Sequence, residues 1–151
     1  MTPRRGRVKR IIEVREKQLD DKVKALRETE RAAEEAARAK AEADERLVQA
    51  AVERERLARK ATDLQSWIEA NEWLQARAAL VDAARRRVEA AKNAVSVART
   101  DVSAAHADVR RMELLSDKIE RQENAAQDRA ARKLDDEIAA QRFERWKGSG
   151  R

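Results

Sequence analysis

Apolar residues recur every seven positions in the second half of the chain. Valine fills one set of positions, and a small or apolar residue follows three positions later in each repeat: Val81, Val88, Val95, Val102 and Val109, then Ala84, Ala91, Ala98, Ala105 and Met112. This spacing is the a/d seam of a left-handed coiled coil. Extending it backward places Leu74 and Trp67 at a, and extending it forward places Ile119 at d. Beyond Ile119 the pattern shifts phase and continues through Ala126, Ala130, Leu134 and Ile138.

The first half carries a looser stripe with the same spacing. Its members are seven residues apart, with two intermediate positions and a short continuation: Ile12, Leu19, Leu26, Ala33, Lys40 and Leu47, with Val23 and Ala37, then Leu57, Ala61, Leu64 and Ile68. No Gly or Pro occurs between Arg7 and Lys147, so no residue there forces a helix to end. Ala, Glu, Lys, Arg and Gln, the strong helix formers, dominate the composition. The sequence therefore predicts an all-α chain.

Residues that favour helix starts cluster near the middle of the chain. They are Thr62, Asp63, Ser66 and Asn71, and the run from Ser66 to Glu69 matches a capping box. Folding back here lets each half bury the apolar stripe of the other, so we predict an antiparallel two-helix coiled-coil hairpin. A parallel dimer of long helices is the structural alternative. The predicted parts are a basic flexible N-terminus at 1–7, helix 1 at 8–65, a turn or tip at 66–72, helix 2 at 73–146 and a flexible tail at 147–151, with the residues after about 130 extending beyond helix 1.

The charge pattern narrows the choice of partners without naming one. Charged residues make up 42% of the 151 residues, aromatic residues only 3%, and the net charge is +6. A basic chain suits an acidic partner, but nucleic acid, lipid headgroups and an acidic protein surface all meet that description. We find no apolar stretch of bilayer length and no secretory signal, and we expect a soluble, cytoplasmic protein without a transmembrane segment.

The residues that carry enzyme chemistry are nearly absent. The sequence has one His, no Cys and no glycine-rich phosphate loop. His106 falls at heptad position e, where solvent exposure is the expected state, and the acidic run Asp135–Glu137 is expected to be a solvated surface. We therefore predict a non-enzymatic protein without a cofactor or a bound metal.

Two groups of residues go beyond a plain coiled coil. Trp67 and Trp73 bracket the predicted turn, although Trp67 could also fill the seam at position a. The other group pairs a basic N-terminal cluster with aromatic residues near the C-terminus, and an antiparallel hairpin would bring both to one end: Arg4, Arg5, Arg7, Lys9, Arg10, Phe143 and Trp146. Trp and Arg are favoured anchors of protein interfaces.

Three segments carry a resemblance to a known family. The opening Arg7–Glu16, the run Lys118–Arg121 and the closing Lys133–Ala139 resemble the FliJ/YscO family of type III secretion stalk proteins. The opening segment favours the YscO-like injectisome branch over the flagellar one.

The resemblance implies a specific architecture and specific partners. Members are antiparallel two-helix coiled coils similar to the central stalk of rotary ATPases. Their paired termini enter the pore of a hexameric secretion ATPase, and their turn meets the cytoplasmic ring of the export gate, so that hydrolysis is coupled to protein export. Export chaperones are a further class of partner.

We assign these two partner contacts to residues by their position in the predicted hairpin. The basic cluster Arg4–Arg10 with Phe143 and Trp146 is the expected ATPase-docking site. Trp67, Ile68, Trp73 and Leu74 form the expected export-gate contact.

Two other functions stay open at the sequence level. One is a generic coiled-coil scaffold or oligomerisation module. The other is a basic helical binder of nucleic acid or of a membrane surface. Against nucleic acid, 29 acidic residues interleave with the 35 basic ones and no row of aromatic stacking platforms is present. Against a membrane, the apolar face is mainly Ala and Val rather than Trp, Phe and Leu.

Overall fold

Two long helices make up the fold. The computed structural model describes residues 2–60 and 63–150, with α1 at Pro3–Arg59 and α2 at Leu64–Ser149. The helices pack against each other, and the predicted all-α, antiparallel two-helix hairpin is confirmed. Contacts between residues divide the chain into two units. We call Met1–Lys17 with His106–Arg151 the terminal unit and Gln18–Ala105 the tip unit.

The tip unit is held together by the predicted heptad seam. On α2, Val81, Ala84, Val95 and Ala98 are buried, and the remaining predicted a and d residues of this unit are half-buried except Trp67, which is exposed. On α1, Ala50 is fully buried. The predicted residues spaced by seven are half-buried: Leu19, Leu26, Ala33, Lys40 and Leu47. Glu30 of α1 lies 3.9 Å from Arg99 of α2, as the antiparallel direction requires. One detail differs, because Ala36 takes the half-buried position expected for Ala37.

The terminal unit continues the same kind of packing with larger side chains. Val8 and Val109 are buried, and Ile12 and Met112 are half-buried. Ile119, at its predicted d position, is 1% exposed and is the largest side chain that is almost completely buried. Burying such a side chain stabilises a fold by about 1.5–3 kcal/mol relative to leaving it in water.

The connection between the helices lies earlier than the sequence predicted. The expected turn at 66–72 is helical and belongs to the first turns of α2, so helix 1 ends before 65 and helix 2 starts before 73. The physical reason is the choice of cap. The Asp63 carboxylate accepts a hydrogen bond from the Ser66 backbone N–H at 2.8 Å, which makes Asp63 the N-cap and Ser66 the third helical residue. Ala61 and Thr62, which also entered the prediction, lie outside the described residues.

Both ends of the chain are helical where flexible segments were predicted. Thr2 caps α1, because its hydroxyl accepts a hydrogen bond from the Arg5 backbone N–H at 3.2 Å. Pro3 follows at the first helical position, where its missing N–H removes no helical bond. At the other end α2 reaches Ser149, so 147–149 are helical as well. Met1 and Arg151 lie outside the described residues.

The final part of α2 has no helix beside it. The Thr2 hydroxyl donates to the Glu123 carboxylate at 2.6 Å, so α1 begins opposite Glu123. Every residue from 124 to 150, which we call the overhang, is exposed. The overhang starts before residue 130 because the turn lies earlier than predicted. In an antiparallel hairpin, moving the turn by one residue shifts the pairing of the two helices by two residues.

Candidate docking surfaces

The predicted tip residues separate into exposed and seam positions. Trp67, Ile68 and Trp73 are 38%, 37% and 42% exposed, whereas Leu74 is half-buried at seam position a. Trp67 was also a candidate for the seam. It lies in the first turn of α2, where α1 is already ending, so little partner surface is available to cover its indole.

Trp73 belongs to a row that the sequence interpretation did not include. Residues three or four positions apart share a helix face, which places Trp73, Arg77 and Leu80 in line. The Arg77 guanidinium lies 5.5 Å from the centre of the Trp73 ring, a cation–π contact, and Leu80 is 53% exposed. A usable signal was present in the sequence, because Trp73 and Leu80 both fall one position before a seam residue, at heptad position g.

A groove beside this row extends the surface onto α1. Five alanines line the groove: Ala36, Ala39, Ala43, Ala83 and Ala84. The charged residues of the lining are Arg46, Arg77 and Arg87, with Glu42 as the one carboxylate. Small side chains let another backbone approach closely, and guanidinium groups attract carboxylates. The opposite flank of the tip unit differs, because there Glu30, Glu34, Lys92 and Arg99 combine both signs of charge.

Charges beside the connection are paired within the chain. Hydrogen bonds from Ser66 hold the pKa of the Asp63 carboxyl below its usual range. The Arg56 guanidinium, whose Nε donates to Glu53 at 3.0 Å, likewise lowers the pKa of that carboxyl. Arg59 pairs with Glu55 at 2.7 Å. The tip therefore combines exposed apolar side chains of α2 with ion pairs of α1.

In the terminal unit, one member of the basic cluster is engaged within the fold. The Arg5 guanidinium lies 3.0 Å from Glu120 and 3.8 Å from Glu123. This residue fastens the start of α1 to α2. The other members are exposed and available to a partner: Arg4, Arg7, Lys9 and Arg10.

The basic cluster and the C-terminal aromatic residues do not meet at one pole. Thr2 contacts Glu123, whereas Phe143 lies twenty residues farther along α2, about 30 Å away at 1.5 Å per residue. Phe143 and Trp146 contact each other with ring centres 6.1 Å apart, and they are 58% and 71% exposed. The two groups therefore do not form one surface, and the terminal unit has two separate surfaces: the cationic start of α1 and the aromatic end of the overhang. Docking of an ATPase at these residues stays a prediction.

A further exposed apolar group lies in the paired part of the terminal unit. Ile11 and Val14 of α1 are 42% and 56% exposed, and Leu114 and Leu115 of α2 are 52% and 39% exposed. Ile11 precedes the half-buried Ile12, and Leu115 precedes the half-buried Ser116, so both exposed residues lie at the border of the seam. Neither pair was selected from the sequence, because isolated exposed apolar residues are common on any protein surface.

The described residues contain neither a cluster of metal-binding side chains nor an apolar helix of bilayer length. Within 2–60 and 63–150, no three His, Asp or Glu side chains come together as a metal site would require. His106 and the run Asp135–Glu137 are exposed. No described helix has an apolar stretch sufficient to cross a bilayer.

A comparison with known families gives the assignment. Residues 5–148 match the family model described as the flagellar FliJ protein. The chain belongs to the FliJ family. No curated protein and no solved structure matches it. The match covers almost all of this FliJ-family protein and confirms the family resemblance stated from the sequence. The preference for the injectisome branch is not confirmed and stays a prediction.

Membership relates the two-helix architecture to a known role. FliJ-family proteins are stalk proteins of the flagellar and type III export apparatus, on its cytoplasmic side, and are associated with export ATPase and export gate components. The family is structural and is not known for enzymatic activity.

Proposed function

We propose that this FliJ-family protein is a central stalk that links a hexameric secretion ATPase to the cytoplasmic ring of the export gate and promotes protein export. The family match over residues 5–148 carries this proposal. The distribution of exposed side chains supports it, because the terminal and tip units each present apolar or cationic groups that their own packing does not cover.

The ATPase contact is assigned to the terminal unit. The overhang is an exposed single helix that ends in Phe143 and Trp146, and a single helix fits a narrower space than a helix pair. Arg4, Arg7, Lys9 and Arg10 lie about 30–40 Å back along the axis, so they would reach the mouth of a ring whose pore holds the overhang. Individual exposed ion pairs contribute only about 0–1 kcal/mol, so this contact would combine several weak interactions and weaken with salt.

The export-gate contact is assigned to the tip unit. Trp67, Ile68 and Trp73 are its exposed apolar residues, and the structure adds Arg77 and Leu80 to the row that Trp73 begins. Leu74 contributes by packing in the seam beneath this row. Export chaperones stay a further class of partner for the same chain.

The two assignments predict different losses. Phe143→Ala/Trp146→Ala should weaken binding and stimulation of the cognate ATPase while leaving export-gate binding intact. Trp73→Ala/Leu80→Ala should do the opposite, with helicity almost unchanged in both because none of the four residues lies in the seam. ATPase turnover and pull-down with each purified partner would measure this. Val97→Ala, which truncates a 62% exposed residue away from both surfaces, is the matched control.

The basic cluster needs its own variant, because deleting it would remove structural residues. Changing Arg4, Arg7, Lys9 and Arg10 to Gln keeps Arg5 and Val8 in place and should lower ATPase binding, most clearly at low salt. Equal stimulation by this variant and the wild type would locate docking elsewhere. If the wild type neither binds nor stimulates the ATPase, the stalk function is wrong and a generic scaffold is favoured.

A further inference from the structure

The last turns of the overhang form an amphipathic segment. Ala139, Phe143 and Trp146 are four and three residues apart and share one helix face, with Ile138 at its edge. Their exposure is high, at 58% for Phe143, 71% for Trp146 and 39% for Ile138, and no part of α1 lies alongside. Four apolar side chains, two of them aromatic, thus face solvent together within about 12 Å of helix.

Cations border the C-terminal part of this face, and the exposed acidic run Asp135–Glu137 precedes it, with Asp135 on the same face four residues before Ala139. Arg142, Arg145 and Lys147 lie within or beside the apolar face, and all three are exposed. Glu144 is the one acidic residue between Ile138 and Lys147, and it falls one residue after Phe143, on the opposite side of the helix. Arginine and lysine carry long apolar stems, so their charged ends can reach a polar boundary while Phe143 and Trp146 go deeper.

We propose that the segment 138–147, which we call the terminal anchor, binds the surface of an anionic lipid bilayer. Helices that lie in the membrane interface combine Trp or Phe on one face with Lys or Arg at its border, and an anionic surface attracts each cation. The apolar face of Ala and Val, which argued against membrane binding, is the seam buried against α1. The terminal anchor lies beyond that seam and has a different apolar face. The evidence for this lipid contact does not depend on the proposed stalk function. Because both contacts use Phe143 and Trp146, a lipid surface and the ATPase would compete for these two residues.

The test is binding of the full-length protein to vesicles. Phosphatidylcholine vesicles containing phosphatidylglycerol should co-sediment the protein. Vesicles of phosphatidylcholine alone should bind it at least about tenfold more weakly, because the attraction of three cations is lost. Arg142→Glu/Arg145→Glu should weaken binding to the anionic vesicles by about tenfold or more. Arg85→Glu/Arg99→Glu makes the same change of net charge in the tip unit and should bind like the wild type.

A spectroscopic arm reports the depth of insertion. In a Trp67→Phe/Trp73→Phe background, Trp146 is the only indole, and its emission should shift to shorter wavelength on anionic vesicles and be quenched by brominated lipid. Phe143→Ser should reduce both effects, and Leu114→Ser, which changes a 52% exposed residue of the paired region, should not.

Three results would overturn the lipid proposal: no co-sedimentation with anionic vesicles, equal binding by the Arg142→Glu/Arg145→Glu and Arg85→Glu/Arg99→Glu variants, or unchanged Trp146 emission. Stimulation of the ATPase without any vesicle binding would reject the lipid contact and leave the stalk function standing.

Discussion

Single residues differ sharply in what they contribute, and two isoleucines of α2 show this. Ile119 is 1% exposed in the terminal unit, whereas Ile138 is 39% exposed in the overhang. Replacing either by Ala improves helix propensity equally. We expect Ile119→Ala to lower the free energy of unfolding by about 2–5 kcal/mol, because it leaves a cavity in the seam. Ile138→Ala should change it by less than about 0.5 kcal/mol.

Chemical denaturation followed by circular dichroism would measure both isoleucine variants. Similar losses of unfolding free energy would mean that the overhang is covered by a neighbour, or that Ile119 is not buried.

Asp63 makes a second residue-scale prediction, which concerns pH. Because hydrogen bonds from Ser66 lower its pKa in the folded chain, the ionised cap stabilises α2 at pH values above the unfolded pKa of about 4. This stabilisation is lost as the pH falls through the lower, folded pKa. Asp63→Asn keeps a good N-cap that does not titrate, so its melting temperature should fall less than that of the wild type in this acidic range.

All other carboxyl groups are present in both proteins, so the difference between wild type and Asp63→Asn isolates the cap. Parallel curves for the two proteins down to pH 2 would show that the Asp63 carboxylate does not cap α2.

At the scale of elements, the seam was predictable and the position of the turn was not. The valines from Val81 to Val109 must alternate with small residues to bury a narrow stripe, and this pattern is independent of anything elsewhere in the chain. The predicted turn rested on the capping box from Ser66 to Glu69 and on Asn71 as a second possible N-cap, whereas the structure uses Asp63 with Ser66. Each of these caps satisfies free N–H groups of a helix start, so local chemistry could not decide.

The same error displaced the helix pairing that was predicted for the terminal unit. Moving the turn towards the N-terminus brings Arg5 beside Glu120, which shortens the paired region and lengthens the overhang. The missed helix start had a local signal, since Thr2 followed by Pro3 is a common N-cap and first helical residue. The exposed surface roles of Trp73 and the basic cluster could be suggested from sequence, but the separation of that cluster from Phe143 needed the register.

The overhang and the start of α1 should therefore respond differently to deletion. Removing residues 124–151 takes away side chains with no partner on α1, so the melting temperature of the remainder should stay nearly unchanged. Removing residues 1–10 deletes Val8 and the Arg5–Glu120 ion pair and uncovers Ile119, so the melting temperature should fall by several degrees. Thermal unfolding followed by circular dichroism compares the two. A larger loss from the C-terminal deletion would mean that the overhang packs on the rest of the chain.

At the scale of the whole molecule, the two helices pair antiparallel within one chain. The native sequence lacks Cys, so engineered pairs report cleanly. Arg5→Cys/Glu120→Cys in the terminal unit and Glu30→Cys/Arg99→Cys in the tip unit should each be cross-linked within one chain by a short bifunctional thiol reagent, because the native side chains of each pair meet at their ends. The cross-linked protein should migrate as a monomer. Glu30→Cys/Arg85→Cys, displaced by two heptads, should not be cross-linked. Cross-linked dimers from the matched pairs would instead support a parallel dimer.

The uncovered helix at the end of α2 also sets a thermodynamic condition on anything that binds it. An isolated helix in water is only marginally stable, and its formation is cooperative. A receptor that needs the helical form recognises only the fraction of molecules in which the overhang is wound, so its apparent Kd rises as that fraction falls. Asn124, Asp128 and Asp135 are weak helix formers within this stretch. Side chains that never touch the receptor thereby tune its affinity through the helix–coil equilibrium.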